Sequence, residues 1–498
     1  MKQSSRSWWG SAALVCAVGA LAAACGAEPV STAEGGPRGV LLLSVDSLRA
    51  DHLSCYGYRS ELQPDILTSP NIDKLMAGEG LLFERAMSTT SWTVPAHMAM
   101  LSGQPNEVHG VVGAASQLHP SRPLVAQRFR QAGWRTAGFF SGPNLHPYFG
   151  FDRGFERYDD CTSVGVDATK FGPDDAKGKT KLRAMEDASH QGITGEKLVD
   201  GFNDWFGGID PDERFFAFVH FWDVHYDYDP PEEFNLFDPD YEGEVDGRNI
   251  SDLVAARLPD SKRDSQHIEA LYDGEILYTD FNIKRILGTL EAAGRLDDTV
   301  VIFVSDHGEE FAEHGRFGHN KTLYEEVIHI PLIIRYPERI AAGTRTDSLV
   351  SLVDLAPTIL DLCGLPADAT HWGRSLTPLF EPGGQLPPRS APLELIFGRP
   401  IPGQKREPMQ GLHAGDHKVV RNRPGESPIV FDLVEDPLER RALEVPKTDP
   451  RVRKARKLWK QLAKQAEALP RQEGELPEEL ADDLRAVGYL GEDEDEEE

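Results

Sequence analysis

The residues best equipped for chemistry lie in the segment Ser91-Trp92-Thr93-Val94-Pro95-Ala96-His97-Met98-Ala99-Met100-Leu101-Ser102-Gly103. A hydroxyl precedes a proline by two places, and a helix-like run follows that ends at glycine. Proline is favoured as the first helical residue because its missing N–H costs nothing there. Thr93 is therefore predicted at the mouth of a helix, where free backbone N–H groups and the helix dipole favour an anion. A hydroxyl at an anion site is what a nucleophile for phosphate or sulfate esters needs. Two apolar runs, Val40 to Val45 and Val300 to Ser305, each break off at an aspartate, Asp46 and Asp306-His307. They read as buried strands of a parallel sheet. Ligands of open α/β sheets bind beyond the carboxyl ends of strands, so these three residues can converge. A third run, Phe215 to His220, leads into Asp223-Val224-His225. With His319, these residues would make a mixed oxygen and nitrogen ligand set; were Asp46 and Asp306-His307 to hold one ion and this set another, the two ions would clamp both the attacking and the leaving oxygen.

The order of these segments resembles the sulfatase family, within the alkaline-phosphatase-like superfamily, from about Arg38 to about Gly491. The resemblance rests on the Asp46 segment with Asp51-His52-Leu53-Ser54-Cys55-Tyr56-Gly57, on Thr93-Val94-Pro95 and on Ser305-Asp306-His307-Gly308. It extends to Gly318-His319-Asn320-Lys321-Thr322-Leu323-Tyr324-Glu325-Glu326, Val353-Asp354-Leu355-Ala356-Pro357-Thr358 and Leu484-Arg485-Ala486-Val487-Gly488-Tyr489-Leu490-Gly491. Several positions depart from the family pattern. Where sulfatases carry Cys or Ser that is oxidised to formylglycine, this chain has Thr93, a secondary alcohol that cannot become an aldehyde. The usual arginine four residues later is His97, the usual second aspartate beside Asp46 is Ser47, and the usual Asn after Asp306 is His307. All-oxygen ligation suits calcium, whereas imidazole shifts preference to zinc or manganese.

The resemblance therefore implies the one-metal core of a threonine branch. Thr93, Asp46, Asp306 and His307 hold a divalent ion, zinc or manganese favoured over calcium, and Thr93 attacks. It also gives His225 and Lys321 the places of the family's sulfate-holding His and Lys. The sequence leaves open whether Asp223, His225, His319, Lys321 and His97 serve a second ion or the substrate anion.

Structural readings stand beside these. Thr93 could be a helix cap, and Asp46 and Asp306 could cap the helices after their strands. His97 could pack or bond locally, His220 could equally be a core residue or a ligand, and Lys321 could be a solvated surface lysine. His109 reads as structural, while His314 and His319 flank a Gly-containing turn.

The chain has 498 residues and a formal net charge of −29. That balance argues against nucleic acid, which needs a basic surface. An anionic substrate must then be drawn by local metal, Lys or His charge. Lys2 and Arg6 precede an apolar, small-residue stretch from Trp8 to Ala24, which reads as a secretory signal over residues 1–24. Ala22-Ala23-Ala24-Cys25 resembles a bacterial lipoprotein cleavage site, with Ala22 where Leu is usual. Lipidation of Cys25 would make an N-terminal lipid anchor the sole membrane attachment and place the protein in the cell envelope, facing periplasm or surface; cleavage near Ala27 would instead give a soluble secreted protein, and an uncleaved segment would stay as the anchor. Beyond Cys16 and Cys25 remain Cys55, Cys161 and Cys363, too few and scattered for a disulfide framework.

The domain reading places a tether at 25–37 and a catalytic domain at 38–380. Apolar strands alternate with helical patterns there, which predicts a mostly parallel central sheet sandwiched by helices. Helices are expected near Asn71–Met76, Arg122–Gly133 and Tyr272–Gly294. The polar stretches 159–192 and 235–265 read as loops that could set substrate choice. A subdomain at 381–470 carries short strand-like runs, predicting a small antiparallel sheet with the helix Arg451–Leu469 packed on it. Residues 471–498 form a tail ending in an acidic, disordered run.

Three functions fit. The leading one is a metal-dependent ester hydrolase acting on a small-molecule, glycan or lipid ester, with phosphoester cleavage favoured over sulfate because threonine cannot become formylglycine. The second is a transferase that passes the phospho-group to an envelope glycan or lipid alcohol. The third is a non-catalytic lipoprotein that binds anionic glycans.

Overall fold

The computed structural model describes residues 36–162, 194–247, 262–395, 409–423 and 425–486, all within one compact unit. The signal segment, Cys25, most of the tether, residues 163–192 and 248–261 of the two polar stretches and the acidic end lie outside these residues. Among the described residues no helix is long and apolar enough to cross a membrane.

The central sheet has eight strands. In chain order they are β1 (Gly39–Val45), β2 (Leu81–Phe83), β3 (Arg135–Phe140), β4 (Arg157–Asp160), β5 (Phe215–Phe221), β6 (Thr299–Ser305), β7 (Leu332–Arg335) and β8 (Thr344–Thr346). Across the sheet the order is β8-β2-β7-β6-β1-β5-β3-β4. Pairing is parallel throughout except where β7 runs against β6 and β2. The expectation of a mostly parallel sheet is met.

Strand β1 is the sequence Gly-Val-Leu-Leu-Leu-Ser-Val, buried at every position. A central parallel strand is covered on both faces, so its alternation carries no polar side. Val40 and Leu42 face one core and Leu41, Leu43 and Val45 the other. On the first face pack helices α1 (Thr93–Ser102), α2 (Val125–Gln131) and α5 (Leu355–Leu362), and on the second α3 (Thr194–Phe206) and α4 (Lys262–Ala292). Helix α4 starts well before Tyr272. Its first turns are polar, and Ile268 and Leu271 hold them to the second core. Gly294 takes a left-handed φ of 66° after it, where a side chain would be strained.

The register of β1 positions the chemistry. Val45 lies opposite Phe221 of β5 and opposite Ser305 of β6. The next residue of each strand therefore leaves the sheet at one end and at one level, which sets Asp46 beside Asp306.

A four-stranded antiparallel sheet follows: β9 (Ala391–Leu395), β10 (Met409–His413), β11 (His417–Arg421) and β12 (Ile429–Asp432). Helix α6 (Pro450–Ala468) lays Val452, Ala455 and Trp459 against Leu412, Val419 and Val430 of this sheet. Its basic residues thus line the outer face of a packed helix. Residues 472–473 pair with 116–117, and Leu480 and Leu484 of helix α7 (Glu478–Ala486) join the main core. Cys55, Cys161 and Cys363 are free thiols.

Candidate active site

Helix α1 begins at Thr93 itself, with Trp92 as its extended N-cap, so Pro95 is the third helical residue rather than the first. Proline is tolerated there because the first four N–H groups have no intrahelical acceptor. Every residue of α1 is buried. The N-terminus of a buried helix, with its partial positive charge, thus points Thr93 at the sheet's carboxyl end.

Asp46, Asp306 and His307 each present a ligating atom, and these atoms lie within 4.8 Å of one another. His307 Nε2 is 3.7 Å from Asp46 Oδ1, 3.4 Å from Asp306 Oδ2 and 3.2 Å from Thr93 Oγ1. All four side chains are fully buried. The turn after β1 is shaped for this. Ser47 takes a left-handed φ of 54°, a strained conformation for a non-glycine residue. Its N–H donates to Asp306 Oδ1 at 3.1 Å and its hydroxyl to Asp46 Oδ1 at 2.8 Å. Thus Ser47, where the family pattern has a second aspartate, holds the two remaining carboxylates in place.

The site fits a divalent cation. Asp46 Oδ2 and Asp306 Oδ2 are buried without a hydrogen-bond partner. Buried anionic oxygens of that kind are paired or bind metal. His307 donates its Nδ1–H to the Gly308 carbonyl at 2.9 Å, which leaves the Nε2 lone pair facing both carboxylates. Burial holds the His307 imidazole below its ordinary value, so it is neutral, as a ligand must be. Burial works to raise Asp46, but the imidazoles of His220, His225 and His307 hold it below the usual carboxylate range. Burial and then the Asp46 charge push Asp306 well above that range. Two carboxylates, one imidazole and an adjacent hydroxyl are donors that suit a divalent metal ion.

His97 lies beneath this centre. Its Nδ1–H donates to the Thr93 carbonyl at 3.0 Å and stands 3.4 Å from Asp306 Oδ2, while Nε2 accepts from the Ser44 hydroxyl at 2.8 Å. Burial, then the neighbouring His220, keeps it neutral. His220 stands 3.6 Å from Asp46 Oδ2, and its ring meets that of His97 edge-on at 4.5 Å. The sequence does not mark Ser44, and it leaves His220 open between a core residue and a ligand. Their signal was a polar residue at the penultimate position of each of two apolar strands, and the register pairs them directly.

His319 and His225 border the same centre. The His319 ring lies 4.5 Å from that of His307 and 4.8 Å from that of His225. His319 Nδ1 bonds to Glu309 Oε1 at 3.0 Å, and Tyr228 donates to Glu309 Oε2 at 3.0 Å. Glu309, an orienting carboxylate, was missed in the sequence because it reads there as one of a charged pair. Lys321 is half-buried, and its ammonium donates to the Phe317 carbonyl at 2.5 Å.

Asp223 does not join them. Its Oδ2 accepts from Thr194 at 2.5 Å, its charge faces Glu275 of α4, and burial raises its carboxyl to about 6. The turn from Trp222 to His225 is tight, with the Val224 and His225 N–H groups both donating to the Trp222 carbonyl, at 3.1 and 2.9 Å. Among the described residues, Asp223, His225 and His319 form no ligand cluster. The second ion site expected from them is therefore not assembled.

The family model described as Sulfatase matches residues 38–365, and that described as N-sulphoglucosamine sulphohydrolase, C-terminal, matches residues 312–468. The chain belongs to the sulfatase family, within the alkaline-phosphatase-like superfamily, and is a sulfatase-like ester hydrolase. It is similar to an N-acetylglucosamine-6-O-sulfatase of Bacteroides thetaiotaomicron, 24% identical over 447 residues, which covers 75% of this chain and 76% of that one. An arylsulfatase of Clostridium perfringens is 25% identical over 386 residues, covering 69% and 78% of the two chains. The fold matches a solved phosphonate monoester hydrolase of Agrobacterium radiobacter with TM-score 0.67 and 24% identity, covering 89% of this chain and 98% of that one. It also matches a structure solved with D-glucosamine-2-N,6-O-disulfate, at TM-score 0.68 and 22% identity, over 87% and 98% of the two chains.

Proposed function

We propose that this protein is a metal-dependent hydrolase of phosphoric-type esters, with Thr93 as its nucleophile. One observation carries the reading: the Thr93 hydroxyl lies 3.2 Å from His307 Nε2, at a helix N-terminus and next to Asp46 and Asp306. Asp46, Asp306, His307 and the Thr93 hydroxyl would hold zinc or manganese, and when bound the ion supplies Lewis acidity and lowers the pKa of a neighbouring hydroxyl.

Thr93 Oγ1 attacks the phosphorus, the ester bond to the leaving alcohol breaks, and the hydroxyl proton ends on that alcohol. Water then cleaves the phospho-threonine and restores the hydroxyl. His319 and Lys321 neutralise the non-bridging oxygens, and His97 fixes the first turn of α1 through the Thr93 carbonyl. Relatives named for sulfated sugars and for phosphonate monoesters support a small-molecule or glycan ester as substrate. The basic and apolar residues before Cys25 support export and lipid anchoring in the cell envelope.

Parallel assays with nitrophenyl phosphate, its phosphodiester, its phosphonate and its sulfate test the reaction class. Faster release from a phosphorus ester, with a phosphoryl adduct on Thr93 in quenched samples, is expected. Faster release from the sulfate, with no adduct on Thr93, refutes the reading. Acceptor-dependent turnover without release of free phosphate would show the transferase instead.

A further inference from the structure

A second constellation of ligating groups lies among the described residues, apart from the Asp46 centre. Glu310, His314 and Glu326 each offer one ligand atom, and the three atoms lie within 4.8 Å of one another. Glu310 belongs to a small hairpin in which Glu310–Phe311 pairs with Phe317–Gly318, and His314 sits in its turn. Glu326 is on the short helix Glu325–Ile328. The sequence marks His314 only as a residue flanking this turn, and the proposed reaction gives it no task.

Two features point to a ligand. Glu310 is fully buried; its Oε1 accepts from the Thr322 hydroxyl at 2.9 Å, and its Oε2 is buried with no partner. His314 places Nδ1 2.7 Å from Glu326 Oε1, and its Nε2 is likewise buried with no partner. A buried carboxylate oxygen and a buried imidazole nitrogen left bare are each costly, and they occur here together. The His314 ring is fixed by stacking on Tyr324, 3.7 Å apart and 5° from parallel, so its orientation is set in advance. A cavity of about 140 Å³, bordered by His314, Arg316, Thr322 and Tyr324, reaches the His314 side of this cluster.

We propose that Glu310, His314 and Glu326 bind a first-row divalent cation, zinc or manganese, in a site separate from the catalytic one. Two carboxylates and one imidazole are the donors such ions prefer. Bound there, the ion ties the hairpin to the Glu325–Ile328 helix. The loop between them carries His319 and Lys321, and Thr322 from that loop already orients Glu310. The site is thus a clamp on the loop that borders the active centre, and it holds whatever the nucleophile is.

Crystals grown with zinc chloride, measured above and below the zinc absorption edge, test this. A peak in the anomalous map bounded by Glu310, His314 and Glu326 is expected, and the absence of one there overturns the proposal. In solution, zinc-loaded wild-type protein should retain one more equivalent after gel filtration than Glu310→Gln/His314→Gln. Equal contents overturn it as well. Asp46→Asn serves as the reference, because it removes a ligand of the catalytic centre and leaves this site whole.

Discussion

The Thr93 hydroxyl and the His307 imidazole lie 3.2 Å apart although 214 residues separate them. Helix α1 delivers one and strand β6 the other, and the parallel register of β1 with β6 brings Asp46 to the same point. If that hydroxyl attacks, Thr93→Ala should lower turnover by at least about 10³-fold, as expected when a nucleophile is removed. Thr93→Ser keeps the hydroxyl and should retain most of the activity. Steady-state rates with a nitrophenyl ester, beside circular dichroism to show an unchanged fold, decide it. Wild-type rates in Thr93→Ala would end the nucleophile role.

Metal removal should act on both activity and stability. Without a cation, Asp46 and Asp306 face each other in a fully buried pocket, with one oxygen of each lacking a partner. Dialysis against a chelator should abolish turnover and lower the melting temperature, and added zinc or manganese should restore both. A melting temperature indifferent to chelator would contradict a bound ion at this centre.

Much of this centre was legible in the sequence. Asp46 and Asp306-His307 could be placed because buried parallel strands are continuous apolar runs and their ends are marked by the first polar residue. What the sequence alone does not show is set by register and by turns. Ser44 and His220 look like polar interruptions of two unrelated strands until the pairing sets them opposite each other. Asp223 looks like a ligand because it follows a strand, yet one tight turn sends it toward Thr194. Spacing along the chain does not say which way a side chain leaves a turn. The start of α4 was lost for a related reason, since polar first turns look like loop until a core is there to receive Ile268 and Leu271.

His97 occupies the place of the family's usual arginine, but its bonds are to Ser44 and to the Thr93 carbonyl. We propose that it acts through Thr93 and Asp306 rather than on substrate. His97→Ala should therefore reduce kcat by about 10- to 100-fold, the range typical of partners that orient ligands and catalytic groups, with KM little changed. His97→Gln can restore part of the bonding and should recover part of the rate. A rise in KM at constant kcat would instead assign His97 to substrate binding.

His109 gives a pH signature away from the reaction. It is fully buried, its Nδ1 accepts from the Val111 N–H at 3.1 Å, and burial followed by the nearby Arg122 charge lowers its pKa to about 3. The native imidazole is thus neutral where the unfolded one, with its ordinary value of 6.5, takes a proton. Its contribution is fully present above pH 6.5 and is lost as pH falls toward about 3. Over that window the loss approaches about 1.4 kcal/mol per pH unit. Urea unfolding of wild type and His109→Asn at several pH values isolates this share, since asparagine keeps an acceptor but does not titrate. The stability gap between them should narrow as the medium is acidified, and a constant gap would contradict a neutral buried His109.

Lys418 is the fully buried cation that fastens the small sheet to the active-site loop. Its ammonium donates to Glu439 Oε2 at 2.6 Å, to Glu325 Oε1 at 3.1 Å and to the Leu323 carbonyl at 2.6 Å. Burial works to neutralise it, but the two carboxylates hold its pKa above the ordinary lysine value. Lys418→Met would leave those carboxylates facing each other without a cation, and breaking a buried pair in this way costs about 3–5 kcal/mol. Adding Glu439→Gln removes one of the two charges and should recover a good part of the loss. Urea midpoints of the two variants beside wild type measure both steps. A Lys418→Met protein as stable as wild type would mean that the loop is held by packing alone and that the ion pairs add nothing.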